Sequence, residues 1–402
     1  PGAVLEAPIA GIMAAAEVVA FVFIVGGAFQ IITATGAIDA GMRRVVRRFK
    51  SKDILVIPIA MLLFALGGST FGMAEETLPF FAIFLPIMIA MGFDSLTAFM
   101  IVFIGAKAGY IASTVNPFSV LIAQGVIGIT GNPQLWLRAI MFVVIVGLSI
   151  GWVVLYARKV RKNPELSLTF HDDKQKRLDM GAVDDDVPFT TAQKWILVVF
   201  LAGMALIVWG LVSQGWYMSE LSAVFLAMGL LAGIIARFSQ QKIAQEFVVG
   251  LKDFAFSAIV IGLARGVLVI ADNGMIIDTI LNAMAMGLAD VAPAVYTTIL
   301  YVVENLLTIL VPSSSSLAAL TMPIFGPLTE LVGLNPEGAV TALCLAEPMM
   351  TIIAPTSAIL VAGLAVCKIS LEQWWKTCWK WWLLMSAVCI GFTAISAMLP
   401  VA

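Results

Sequence analysis

The sequence predicts an all-α polytopic membrane protein with two inverted-topology repeats, each holding a re-entrant helical hairpin and a broken helix. Three observations lead there. Of its 402 residues, 61% are apolar and 12% charged, and the mean hydropathy is +1.02. Glycine, proline and tryptophan landmarks recur at a nearly constant spacing. The loops that this spacing equates differ sharply in charge.

Apolar stretches of about 18 residues or more read as membrane helices, and here they run almost end to end. The first, about 9 to 37, ends before a dense basic segment with Arg43, Arg44, Arg47, Arg48, Lys50 and Lys52. Such clusters mark the cytoplasmic side, so this helix runs from outside to inside. A span from Ile54 to Leu66 leads into a polar stretch, Gly67 to Thr77, and an apolar arm with Pro79 and Pro86 follows. Each arm is short for a full crossing, which suits a re-entrant hairpin. Residues 95–112 then enter Ser113-Thr114-Val115-Asn116-Pro117-Phe118-Ser119, a polar interruption between apolar arms. Proline in a membrane helix frees backbone carbonyls, and hydroxyls or amides beside it can satisfy them or hold a ligand. Asn132-Pro133 turns the chain into a span from Trp136 to Tyr156, closed by the basic run 158–162. Residues 158–194, mixed in charge, read as a solvated cytoplasmic linker between repeats. Two more spans, about 195–213 and 219–236, lead to a loop with Arg237, Lys242 and Lys252.

From there the chain tracks its own first part. Gly11 and Gly250, Gly36 and Gly274, Pro86 and Pro323, Pro117 and Pro355, and Trp136 and Trp374 are all separated by 237 to 239 positions. The polar interruption returns as Thr351-Ile352-Ile353-Ala354-Pro355-Thr356-Ser357. The counterpart of the basic segment 43–52 falls near 281–290, which holds Asp290 and no Lys or Arg. Equivalent loops are therefore expected on opposite faces of the membrane, the pattern of secondary transporters with inverted repeats. The expected division is a first repeat over 1–157, the linker over 158–194 and a second repeat over 195–402. Counterparts of the spans at 195–236 would precede residue 1, so one or two further helices are expected upstream.

Several function classes are excluded by residue type. The single histidine, His171, lies in a polar loop, which removes histidine-based metal sites and catalytic triads. The four cysteines, Cys344, Cys367, Cys378 and Cys389, show no CxxC spacing and read as small buried hydrophobes. An intramembrane enzyme would have to use Ser313–Ser316 near Glu304 with no base at hand, so no catalytic residue, metal or cofactor is expected. A channel would share a polar interior without needing an internal repeat.

Four polar elements should converge about the midplane. The first is the hairpin with Ser69, Thr70, Glu75, Glu76 and Thr77; its counterpart is Val311-Pro312-Ser313-Ser314-Ser315-Ser316. The others are the two interruptions. Ionisable groups at this depth are costly and therefore informative. Glu347 lies one helical turn before Thr351 and shares its face. Lys107 is placed to neutralise a carboxylate, as is Arg265, whereas Asp39 and Asp278 sit near helix ends and suit capping. The expected substrate-binding set is Glu75, Glu76, Thr77, Ser113, Asn116, Pro117, Ser313, Ser314, Ser315, Ser316, Glu347, Thr351, Pro355, Thr356 and Ser357. A coupling ion, Na+ or H+, is placed at Ser69, Thr70, Thr114 and Asn116. The excess of carboxylates favours a cationic or zwitterionic solute over a plain dicarboxylate.

Four segments carry a family resemblance: Thr35-Gly36-Ala37-Ile38-Asp39, Gly72-Met73-Ala74-Glu75-Glu76-Thr77, Ala112 to Phe118, and Ala346-Glu347-Pro348. Together they resemble the YfcC-type carriers of the C4-dicarboxylate anaerobic carrier family, within the ion transporter superfamily. That resemblance implies a bacterial inner-membrane carrier, a homodimer in the lipid bilayer, a small-molecule substrate, an elevator mechanism and no nucleic-acid partner. The superfamily's hairpin tips carry Ser-Asn-Thr motifs. This chain departs from them, with Ser69-Thr70 and Glu75-Glu76 in the first hairpin and four serines in the second. The YfcC-type branch is described as exchanging basic amino acids, and the expected function is exchange of that kind. The alternative is Na+- or H+-coupled uptake of C4-dicarboxylates or other small organic anions.

Overall fold

A computed structural model describes residues 2–38, 40–41, 44, 54–74, 77–179, 189–214, 216, 218–274, 279 and 291–400. Every regular element among them is helical. In the first part these are α1 (Gly2–Ala14), α2 (Ala16–Ala34), α3 (Val56–Phe71), α4 (Leu78–Ala90), α5 (Ser95–Ile111), α6 (Ile122–Val126) and α7 (Leu135–Lys162). A short α8 (Phe170–Asp179) precedes α9 (Thr191–Gln214) and α10 (Met218–Ile235). The remainder is α11 (Gln240–Asn273), α12 (Pro293–Leu310), α13 (Ser314–Leu331), α14 (Glu337–Thr351), α15 (Ala358–Cys367) and α16 (Leu371–Met398). Among the described residues α7, α10, α12 and α16 are long and apolar enough to cross a membrane, and the bent pair α1–α2 makes a fifth candidate. The chain is a multi-pass membrane protein.

The order short helix, returning helix, helix, break, short helix, long helix occurs twice, as α3 to α7 and as α12 to α16. The packing recurs with it: α3 lies on α5 and α5 on α7, while α12 lies on α14 and α14 on α16. One expected span departs from this. The first apolar run is interrupted at Ala15, whereas its counterpart α11 is a single helix of 34 residues. Both α1 and α2 pack along α11, each through glycines. A Cβ on Gly11 would lie 2.2 Å from the Gly262 oxygen, and one on Gly250 would lie 2.4 Å from the Gly26 oxygen. The interruption lets both segments keep this close approach.

The centre is formed by α5, buried at every one of its 17 residues, and by α14, buried over nearly its whole length. Helix α3 can approach α5 closely because glycines face backbone: a Cβ on Gly109 would sit 1.9 Å from the Ala65 oxygen, and one on Gly68 2.2 Å from the Ala106 oxygen. Helix α3 runs to Phe71 and stops where Gly72 takes φ 71°, so Ser69 and Thr70 lie in its last turn rather than in the hairpin tip.

Two buried polar networks hold the helix ends. In the first, Arg138 at the start of α7 pairs with Glu337 at the start of α14 at 2.7 Å. Gln124 also donates to Glu337 at 2.5 Å, and Gln134 exchanges hydrogen bonds with Ser396 near the end of α16. The second network corrects the expectation of a solvated linker. The stretch 158–162 continues α7, and residues 164–179 fold back onto the protein. Asp173 accepts from the Ser95 backbone amide at 2.8 Å and from the Ser95 hydroxyl. Buried Lys176 bridges Asp173 at 3.0 Å and the Cys367 oxygen at 2.9 Å, while Ser167 and Tyr156 donate to Asp94, the cap of α5. The acidic and basic residues of this stretch are thus partly internal. They cap α5 and the end of α15 because no backbone partner reaches those helix ends.

Two stability predictions follow from these contacts. Gly109→Ala forces α3 away from α5 and should cost about 1–3 kcal/mol. Lys176→Met leaves Asp173 buried without its cation and should cost about 3–5 kcal/mol. Both are read as a lowered melting temperature of the purified protein, and an unchanged melting temperature contradicts the packing described.

Candidate functional site

An interrupted helix in a membrane must have its freed backbone groups satisfied by protein. The two breaks solve this with different residues. After α5 the Ser69 hydroxyl donates to the Ala112 oxygen at 2.8 Å, and the Thr114 amide donates back to the Ser69 oxygen at 3.0 Å. Ser113 donates to the Tyr110 oxygen at 2.5 Å and accepts from Asn116 and Ser119, each at 3.1 Å. Asn116 accepts from the Phe118 amide at 2.9 Å and so caps a π-helical turn, Pro117–Leu121, that precedes α6. Asn132 closes the set by donating to the Thr114 oxygen at 2.7 Å. Gly72 is forced to lack a side chain here, since its Cβ would lie 2.7 Å from the Asn116 amide oxygen.

The second break has no counterpart of Asn116; Ala354 stands there. Three indoles of α16 do the work instead. Trp382 donates to the Met349 oxygen at 2.8 Å, Trp374 to the Ile352 oxygen at 2.8 Å and Trp375 to the Ile353 oxygen at 2.9 Å. Ser357 caps α15 by accepting from the Leu360 amide at 3.5 Å.

Between the breaks, α5, α13 and α14 bring ionisable groups into one buried layer. Lys107 of α5 donates to the Thr351 hydroxyl at 2.8 Å. Ser314, in the first turn of α13, donates to Glu347 at 2.8 Å and lies 3.0 Å from the Tyr110 hydroxyl. A serine hydroxyl has one proton, so with Ser314 donating to Glu347 the Tyr110 hydroxyl donates to Ser314. Ser315 donates to the Phe118 oxygen at 3.1 Å, which ties the second hairpin to the first break. Lys107, Tyr110, Ser314, Glu347 and Thr351 are all buried. One lysine and one glutamate therefore share a dry layer walled by hydroxyls. Such an arrangement can bind a solute bearing both an anionic and a cationic group.

Of the residues expected from sequence, Ser69, Ser113, Thr114 and Asn116 meet in the first cluster, and Ser314, Glu347 and Thr351 in the second. Pro117 opens the π turn. Ser313 is half-buried and accepts from Ser316 at 3.2 Å. Thr70 turns back to the Leu66 oxygen at 2.7 Å and Thr77 to the Ala74 oxygen at 2.6 Å, so neither hydroxyl points at the break. Pro355 and Thr356 are exposed. Glu75, Glu76, Asp39 and Asp278 lie outside the described residues, as does the side chain of Arg265. Tyr110, Asn132 and the three tryptophans were not expected. Tyr110 was detectable as a hydroxyl one turn after Lys107 on the same face. The tryptophans were not, because an aromatic run at a membrane boundary reads first as an interfacial belt.

Comparison with known proteins agrees with this architecture. The family model for the C4-dicarboxylate anaerobic carrier, DcuC, matches residues 4–399. The chain is 34% identical over 373 residues to YfcC of Escherichia coli, provisionally named a basic amino acid antiporter, covering 90% of this chain and 74% of that protein. It is 31% identical over 376 residues to an uncharacterized protein of Haemophilus influenzae, covering 93% of this chain and 74% of the other. Two solved structures share the fold. The YdaH transporter of Alcanivorax borkumensis, described as having an unusual topology, aligns with a TM-score of 0.72 at 15% identity, over 97% of this chain and 87% of that one. MtrF of Neisseria gonorrhoeae, described with a class of antimetabolite efflux pumps, aligns with a TM-score of 0.70 at 18% identity, over 95% and 80%. With a family match over nearly its full length, the chain belongs to the C4-dicarboxylate anaerobic carrier (DcuC) family of membrane transporters.

Proposed function

We propose that this transporter exchanges basic amino acids, binding them between the second hairpin and the two broken helices. The observation behind this reading is the buried layer in which Lys107 and Glu347 stand with the hydroxyls of Tyr110, Ser314 and Thr351. An α-carboxylate matches the lysine and the α13 N-terminus, and an α-ammonium matches the glutamate. The side-chain cation of arginine or lysine is then assigned to Glu75 and Glu76. The name of the Escherichia coli relative supports the same substrate class. Of the remaining residues of the expected set, Ser113, Asn116, Pro117, Ser313, Ser315, Ser316 and Ser357 are assigned to the frame of the site. A coupling cation is assigned to the Asn116 side, with Ser69 and Thr114.

The transport cycle we infer is alternating access by two inverted repeats, moving as an elevator in a homodimer. Support for a two-fold relation between the halves comes from which loops meet. The end of the first hairpin, at Asp94 and Ser95, joins the end of the second broken helix, at Cys367, through Lys176. The start of α14 after the second hairpin joins the first break's far end through Gln124 and Arg138. Hairpin ends thus meet broken-helix ends of the opposite half, the reciprocal pairing expected when a two-fold axis relates the halves. The alternative substrate, a C4-dicarboxylate, is favoured by the family's name. It calls for a second cation in the layer beside Lys107.

Arginine, lysine or ornithine should raise the melting temperature of the purified protein and drive counter-flow in proteoliposomes, whereas succinate should do neither. Stabilisation by succinate alone reverses the assignment. Glu347→Gln keeps the Ser314 contact but removes the charge, and should weaken arginine binding by about 10- to 100-fold, the worth of a charged hydrogen bond. Unaltered arginine affinity in that variant rules out Glu347 as the ammonium partner.

A further inference from the structure

A second ionisable site lies away from this layer, midway along α12. Glu304 is 0% exposed, and neither of its carboxyl oxygens has a hydrogen-bond partner. The Thr321 hydroxyl of α13, on the neighbouring hairpin helix, is spent on the Leu317 oxygen at 3.0 Å. On the same stripe of α12, Tyr301 and Asn305 also keep unpaired buried oxygens, and Ser386 of α16 has another beside Tyr301. Polar groups at this depth are ordinarily paired, and clustered exceptions mark function or rearrangement.

Helices α13, α14 and α16 pack against α12. Their titratable groups away from the helix ends are Cys344 and Glu347 on α14 and Cys378 and Cys389 on α16, while Glu330 is exposed in the last turn of α13. Glu337 of α14 is paired with Arg138, and Glu372, Lys376 and Lys380 stand at the opposite end of α16 from Ser396. Among the described residues no charged side chain is hydrogen-bonded to Glu304. A carboxylate in such a place would be an isolated buried ion, whereas the neutral carboxylic acid is far less costly to bury.

We propose that Glu304 is a proton-carrying carboxyl of the transport cycle, protonated in this conformation and exchanging its proton with solvent when α12 repacks. The step is a proton transfer alone: the acid O–H bond breaks, the carboxylate is left, and the proton passes to water. This deepens the transporter reading and rests on it, but does not depend on the substrate being a basic amino acid.

Infrared spectroscopy of the purified full chain, compared with Glu304→Gln, tests the protonation directly. The wild type should show a carboxylic-acid carbonyl band that the variant lacks, and the band should shift in D2O. Transport is measured in proteoliposomes under an imposed pH gradient, with arginine and separately with succinate. For one coupled proton, the wild-type accumulation ratio should change about tenfold per pH unit, and that response should vanish in Glu304→Gln. No band lost in the variant, a band fixed in D2O, or a variant that responds to the gradient like the wild type each overturns the proposal. If neither solute is carried, the basic amino acid reading falls while the infrared result still decides Glu304.

Discussion

The need to satisfy backbone groups freed inside a membrane organises this protein. Two helices stop at midspan, and each stop exposes carbonyls that hydrocarbon cannot hydrogen-bond. At the first, the donor is Ser69 of α3, which can reach the Ala112 oxygen only because Gly68 and Gly109 let α3 and α5 touch backbone to backbone. At the second, the donors are indoles, which keeps α16 flush against the end of α14. Packing of the outer helices therefore follows from hydrogen bonding at the centre.

The repeat is one of elements rather than of chemistry. Lys107 has Leu345 at the equivalent position, Glu347 has Gly109, and Ser69 has Leu307. Each half contributes one member of the Lys107 and Glu347 layer, from places that the repeat does not equate. A shared backbone plan sets two broken helices side by side, and unequal side chains then give one compound site instead of two copies. Gly109 shows why the halves diverged: its place against the Ala65 oxygen admits no side chain, so the carboxylate can stand only in the other half.

The far ends of these helices are held by charge. Arg138 and Glu337 close one end, and Asp94, Asp173 and Lys176 the other. Buried pairs of this kind contribute little net stability relative to apolar packing, but removing one partner is costly. Their effect is to set which loops adjoin. Because the stretch 164–179 fastens α5 to the end of α15, that described part of the connection between the two halves belongs to the packed structure.

Much of this was legible in the sequence. Hydropathy and the recurrence of Gly36 with Gly274 and of Pro117 with Pro355 defined a helical membrane protein with a repeat and two interruptions, because these signals are local and periodic. The same reasoning located Ser113, Asn116, Glu347 and Thr351 and suspected Lys107. It grouped Ser69 and Thr70 with the first hairpin without showing that both lie inside α3, since the helix stop depends on Gly72 fitting against Asn116. It also took 158–194 as a solvated linker, of which 164–179 packs back on the protein, since polar residues that cap distant helix ends look like any loop. By itself the sequence determined where the chain is apolar, where it breaks and that it repeats. Only the tertiary structure decided that Lys107 meets Thr351, 244 positions away, that tryptophans serve the second break, and that Glu304 is left alone. The reason is physical: hydropathy is a property of each segment, whereas hydrogen-bond partnership at membrane depth depends on which segments the fold brings into contact.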